Sequence, residues 1–189
     1  MSGPWHVSFE ERLDLLRERI QQPDFLANRG LGNELGFYVF QYDPHRELDL
    51  RRAIKRLKAS QLGCRIVERN LWDVFCGVCA SKGILDRIPS LEERRGTEGL
   101  LRRLQTIVPP EAYVAAMDYT PHEPGDVLFI TGVGQVFPLV RAHAILENAH
   151  HVFEDVPTVL FYPGTYDQVS LTLFGVLNDS NYYRAFDLI

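Results

Sequence analysis

A chain of 189 residues, 46% hydrophobic and 24% charged, suits one globular domain spanning 1–189. A domain of this size buries roughly 70% of its unfolded surface, so it needs neither metal nor disulfide to be stable, and its three cysteines do not make a secreted disulfide framework. A net charge of −5 argues against direct nucleic-acid binding, and with no membrane-length apolar run and no signal-peptide core the expected location is cytoplasmic.

In chain order, Ser8 opens the first helix as N-cap and Glu11 completes a capping box. Leu13, Leu16 and Ile20 mark the apolar face, and Pro23 is expected to end the helix. A turn-rich stretch at 28–33 leads to an aromatic, β-branched run at 35–42, the first predicted strand, which Asp43 and Pro44 stop. A helix is predicted over 46–62, with Leu50, Ile54 and Leu57 inward and Gly63 as its cap. Its cations, Arg46, Arg51, Arg52, Lys55, Arg56 and Lys58, read first as a solvated face, with a basic docking surface as the sharper alternative. Residues 64–68 predict a short second strand. The pattern is then helical: 71–82, stopped by Gly83; a helix opened by a Ser90–Glu93 capping box and running to Ile107; and a short helix started by Pro109 and Pro110.

Residues 125–166 organise the rest. The apolar run Val127, Leu128, Phe129 and Ile130 is followed by Gly132 and Gly134, a helical pattern, and a second apolar run at 159–162 that Pro163 and Gly164 stop. A buried strand, a Gly turn, a helix and a buried strand make a βαβ unit. The last strand is expected at 171–174; it follows too closely for a crossover and is expected to be antiparallel. Asn178, Asp179 and Ser180 are expected to cap a terminal helix over 181–186. The alternation predicts the α/β class: one three-layer domain with a mainly parallel sheet and helices on both faces, Rossmann-like without a functional P-loop. Ligands of such sheets meet the carboxyl ends of the strands.

Thr131, Gly132, Val133, Gly134 and Gln135 stand where a phosphate loop would, and free amides at a helix start attract anions. The loop lacks the Lys and Ser/Thr of GxxxxGK[ST], and Phe137 takes the place of the third glycine of GxGxxG. It reads first as a tight turn. The alternative is a degenerate nucleotide- or anion-binding site using Thr131, Gly132, Gly134 and Gln135.

Cys76 and Cys79 form a lone CxxC inside an apolar helix and read as buried free thiols. His150 and His151 point to different helix faces. His143 and Glu147 have the spacing to share an ion, but no HExxH is present and no metal is expected. No GxSxG elbow marks a nucleophile, so no catalytic residue is assigned. Arg141, His143, Tyr166, Asp167 and Arg184 form either a ligand crevice or a structural polar cluster, in which an Arg–Asp pair locks the C-terminal helix to the sheet.

FITGVGQVFP at 129–138, RAH at 141–143, FYPGTYD at 161–167, LFG at 173–175 and NYYRAF at 181–186 form an ordered set, with FQYDPHREL at 40–48 before it. The set resembles the BrxB family of BREX bacteriophage-exclusion systems, over nearly the whole chain. The resemblance implies a component of a multi-protein defence machine that also carries a PglX-type methyltransferase, a PglZ alkaline-phosphatase-like protein and a large BrxC ATPase. It further implies an adaptor with no catalytic activity and no cofactor, binding the PglZ-type protein first and BrxC or PglX as further contacts.

Overall fold

Strands buried on both faces set the architecture. β1 (Phe37–Tyr42), β3 (Asp126–Thr131) and nearly all of β4 (Thr158–Tyr166) are buried, whereas β2 (Arg65–Asn70) is not, as suits an edge. The computed structural model describes residues 7–28, 36–167, 170–179 and 186–189. β5 (Leu171–Leu173), β6 (Leu177–Asp179) and β7 (Phe186–Asp187) complete the strands. The main sheet has the order β2-β3-β4-β1-β7 and is parallel throughout. β5 returns antiparallel along the end of β4, as its short connection requires, and β6 pairs with β5.

Alternate residues of each strand feed two cores. Tyr38, Phe40, Phe129 and Phe161 pack against α1 (Phe9–Arg19), α2 (Pro23–Leu26) and α3 (Glu47–Ala59) through Leu16, Phe25 and Ile54. Phe37, Val39, Leu128 and Ile130 pack on the other face against α4 (Leu71–Ser81), α5 (Ile88–Ile107), α6 (Pro110–Met117), α7 (Val133–Val136) and α8 (Ala142–Ala149). The fold is therefore the expected three-layer α/β arrangement with a mainly parallel sheet. No helix among the described residues is long and apolar enough to cross a membrane.

Several boundaries differ from the sequence reading. The Ser8–Glu11 capping box forms, but α1 stops at Arg19 and Pro23 starts α2, where its missing N–H costs nothing. α3 ends at Ala59, and Ser60 rather than Gly63 follows it, its hydroxyl donating to the Leu57 carbonyl at 2.7 Å. β2 runs on to Asn70, whose side chain caps α4. The Ser90–Glu93 box does not form. Pro89 lies in the first turn of a helix that begins at Ile88, so Ser90 sits inside it and donates back to the Arg87 carbonyl. The single helix expected after the Gly turn is split into α7 and α8. Phe137 precedes Pro138, whose ring disfavours helical backbone in the residue before it, and Phe137 is extended at φ −65° and ψ 136°. Nor is 171–174 the last strand: Asn178 and Asp179, expected to cap a terminal helix, pair with β5 as β6, residues 181–185 lie outside the described residues, and Phe186 is in β7 alongside Tyr38.

An ion pair fastens the amino end of the sheet, its Asp126 carboxylate buried and its Arg65 open to solvent. Arg65 forks onto Asp126, with Nε–Oδ1 at 2.5 Å and Nη2–Oδ2 at 2.6 Å, and the Glu123 N–H donates to the same carboxylate at 3.0 Å. The Arg65 hydrogen bond holds the Asp126 carboxyl below its ordinary range, against the opposing pull of burial. The folded state therefore binds this proton more weakly than the unfolded chain. The stabilisation is fully present above about pH 5 and is lost as pH falls through the depressed folded value. Asp126→Asn is expected to lower stability at neutral pH by about 1–3 kcal/mol and to flatten the acid side of the stability profile. Urea unfolding at a series of pH values checks both effects.

Candidate functional site

β3 delivers the chain to the carboxyl end of the sheet at Thr131, and Gly132 turns it in the left-handed region at φ 78° and ψ 17°. Asn70, at the end of neighbouring β2, fills the space beside that turn. A Cβ on Gly132 would stand 2.7 Å from the Asn70 Oδ1. The same oxygen accepts from the N–H groups of Trp72 and Asp73, and Asn70 Nδ2 donates to Gln135 Oε1 at 3.1 Å. The Thr131 hydroxyl donates to Glu68, whose other oxygen accepts from Lys58. Over Gly134 lie the Phe174 ring and Pro163, at 2.9 and 3.1 Å from where a Cβ would be. Thr131, Gly132, Gly134 and Gln135 are thus brought together, and the chain's own side chains line the space above them.

The cover comes from the β5–β6 hairpin. The Val176 N–H donates to the Leu173 carbonyl at 3.1 Å, closing a turn in which Phe174 (φ 55°) and Gly175 (φ 73°) are both left-handed. That geometry favours Asn-Gly; a phenylalanine at the first position costs about 1 kcal/mol of backbone strain. Beside the hairpin, a small crevice runs between Phe137, Val140, Tyr162 and Leu177, with Arg141 on its wall. Arg141 is the exposed, extended N-cap of α8, and His143, half-buried, is the second residue of its first turn. Tyr166 is buried at the end of β4, while the Asp167 carboxylate accepts from the N–H and hydroxyl of Ser170 in a local turn. Arg184 lies outside the described residues. The predicted cluster therefore divides, with Arg141 at the crevice and Tyr166 directed by its backbone towards β1.

That second half contains polar groups absent from the sequence reading. Gln41, inside the aromatic β1, accepts from the Tyr166 N–H at 2.9 Å and donates to Asp187 of β7 at 2.9 Å. Its backbone carbonyl accepts from buried Arg12 at 2.6 Å, and the Arg12 guanidinium lies over the Phe40 ring. Burial pushes the Asp187 carboxyl up and the Arg12 guanidinium down, the latter opposed by the charge of Asp187. Next door, the Tyr42 hydroxyl donates to Glu47, and burial with that contact raises the Tyr42 phenol. Two signals in the sequence could have found this network. Arg12 occupies the apolar stripe four residues before Leu16, and Gln41 interrupts a strand that is otherwise aromatic or β-branched.

The other candidates have ordinary surroundings. On α3 and just before it, Arg46 pairs with Glu10 and Asp49, Arg51 with Glu47, Arg52 with Asp49 and Lys58 with Glu68, so most of the basic face is locally neutralised. Cys79 is buried and Cys76 half-buried within α4, and burial raises both thiols, the reverse of a reactive pair.

A family model described as BREX protein BrxB matches residues 67–188. The chain is similar to the BREX protein BrxB of Bacillus cereus (strain H3081.97), 40% identical over 186 residues that cover 95% of this chain and 96% of the relative. It is also similar to the BREX protein BrxB of Escherichia coli O9:H4 (strain HS), 30% identical over 194 residues, covering 95% of this chain and 91% of that one. No solved structure gives a significant match.

Proposed function

The chain belongs to the BrxB family of BREX proteins, and from that membership we propose that it is a non-catalytic adaptor that binds the PglZ-type protein of a BREX defence complex. Family membership is the observation that carries the reading. The carboxyl ends of the strands, where a small ligand of such a sheet would sit, add support. There the polar side chains serve the fold itself: Asn70 caps α4 and holds Gln135, and Gln41 bridges β1, β4 and β7. What the same end offers outward is apolar: Trp72, Phe174, Val176 and Leu177. Exposed aromatic and aliphatic groups of this kind suit a protein partner.

Co-expression of the chain with the PglZ-type protein of the same system is expected to yield a complex that survives gel filtration and sediments as one species at micromolar concentration. Independent sedimentation of the two proteins under those conditions would remove the PglZ-type protein as the direct partner.

A further inference from the structure

Seven large apolar side chains are exposed among the described residues, and five of them, Leu48, Trp72, Phe174, Val176 and Leu177, lie on elements that follow the carboxyl ends of strands. The last three belong to the β5–β6 hairpin. Its turn places a phenylalanine where the backbone favours Asn or Gly, and the internal packing gained is partial. The Phe174 ring leans on Gly134 and meets Phe137 edge-on at 6.5 Å, yet it stays 39% exposed. Packing within the chain does not account for Val176, which is 77% exposed. A strained position that holds an aromatic group towards solvent is a mark of a functional surface.

The charge beside the turn indicates what the surface takes. Arg141 shares the crevice wall with Phe137 and Leu177, and among the described residues no carboxylate pairs with it. The cations of α3, by contrast, are mostly engaged with neighbouring carboxylates. An apolar knob next to an unpaired guanidinium is complementary to a segment that is both apolar and acidic. A second copy docked through a two-fold axis would set this patch against itself, and among the described residues the crevice lining holds no carboxylate to meet Arg141, which disfavours self-association.

The geometry points to this hairpin face as the docking surface for an acidic, apolar segment of a second BREX protein. Apolar side chains of that segment cover Phe174, Val176 and Leu177, and a carboxylate meets Arg141. The inference rests on the adaptor reading and supplies its surface.

The test uses the full chain against the PglZ-type protein and, separately, each other protein of the same BREX system, by calorimetry and sedimentation. Val176→Asp and Arg141→Glu are each expected to weaken binding at least tenfold while the melting temperature stays within a few degrees of wild type. Phe174→Asn, which suits the left-handed turn, is expected to lose binding without losing stability. Lys55→Glu on α3 is expected to change nothing. If the wild type binds and these variants bind equally well, the surface is wrong and the adaptor reading stands. If the wild type binds no component, both fall. If the variants instead abolish a dimer of the chain alone, the occupant is a second copy and the proposal is overturned.

Discussion

Replacing Gln41 with leucine is expected to lower the stability of the chain by about 2–4 kcal/mol, seen as a fall in the urea midpoint with an unchanged slope. The leucine fills the volume but removes the acceptor of the buried Tyr166 N–H and one donor to the half-buried Asp187 carboxylate, which keeps the Ile189 N–H and the nearby charge of Arg12. Gln41→Glu separates this from a packing effect. It retains the shape but sets a second carboxylate against Asp187, whose carboxyl burial already pushes up. Like charges at this distance resist joint ionisation, so Gln41→Glu is expected to recover stability steeply as pH falls, and Gln41→Leu to recover less, because only the Asp187 carboxyl takes up a proton there. Parallel unfolding curves at neutral and mildly acidic pH distinguish them.

The second large effect is expected at Gly164. In β4 it lies opposite Leu173 of β5, and a Cβ added there would stand 2.0 Å from the Thr172 carbonyl oxygen. Backbone cannot yield to that overlap as a flexible side chain could, so Gly164→Ala must part the two strands. The expected cost is about 3 kcal/mol. The loss is local as well as global. With β5 displaced, the Phe174 ring leaves Gly134, and hydrogen exchange at the Phe174 N–H, which donates to the Pro163 carbonyl at 2.9 Å, is expected to accelerate. Exchange that stays slow at that amide while the core loosens would contradict the assignment of this glycine to the hairpin.

The layered sheet was legible because its signals are local and repetitive. The runs at 127–130 and 159–162 are apolar at every position, as strands covered on both faces must be, and Gly132 marks the turn between strand and helix. Ends of elements were less legible because tertiary partners decide them. Ser90 has the spacing of an N-cap, but the helix had already begun at Ile88. Phe186 follows residues with helical spacing, yet the open edge of β1 takes it as a strand. The site was legible only in outline. The Gly turn and Arg141 stand out in the sequence, whereas the Arg12–Gln41–Asp187 network joins positions far apart in the chain through one buried glutamine. No local spacing encodes such a contact; only the oddness of an Arg on an apolar stripe and a Gln in an aromatic strand hints at it.

The position of β1 has a consequence for synthesis. Its sheet neighbours are β4 and β7, so Phe37 finds its partner only at Thr158, and Tyr38 finds its two only at Val159 and Phe186. At translation rates of roughly 5–20 residues per second, the wait for β4 is on the order of ten seconds. Meanwhile α1 to α3 can shield one face of the strand, but both hydrogen-bonding edges of an apolar, aromatic segment stay unmatched. The strand that ends up between β4 and β7 is thus the one that spends longest as an open template, and lower expression temperature or chaperone supply should act on yield through this interval.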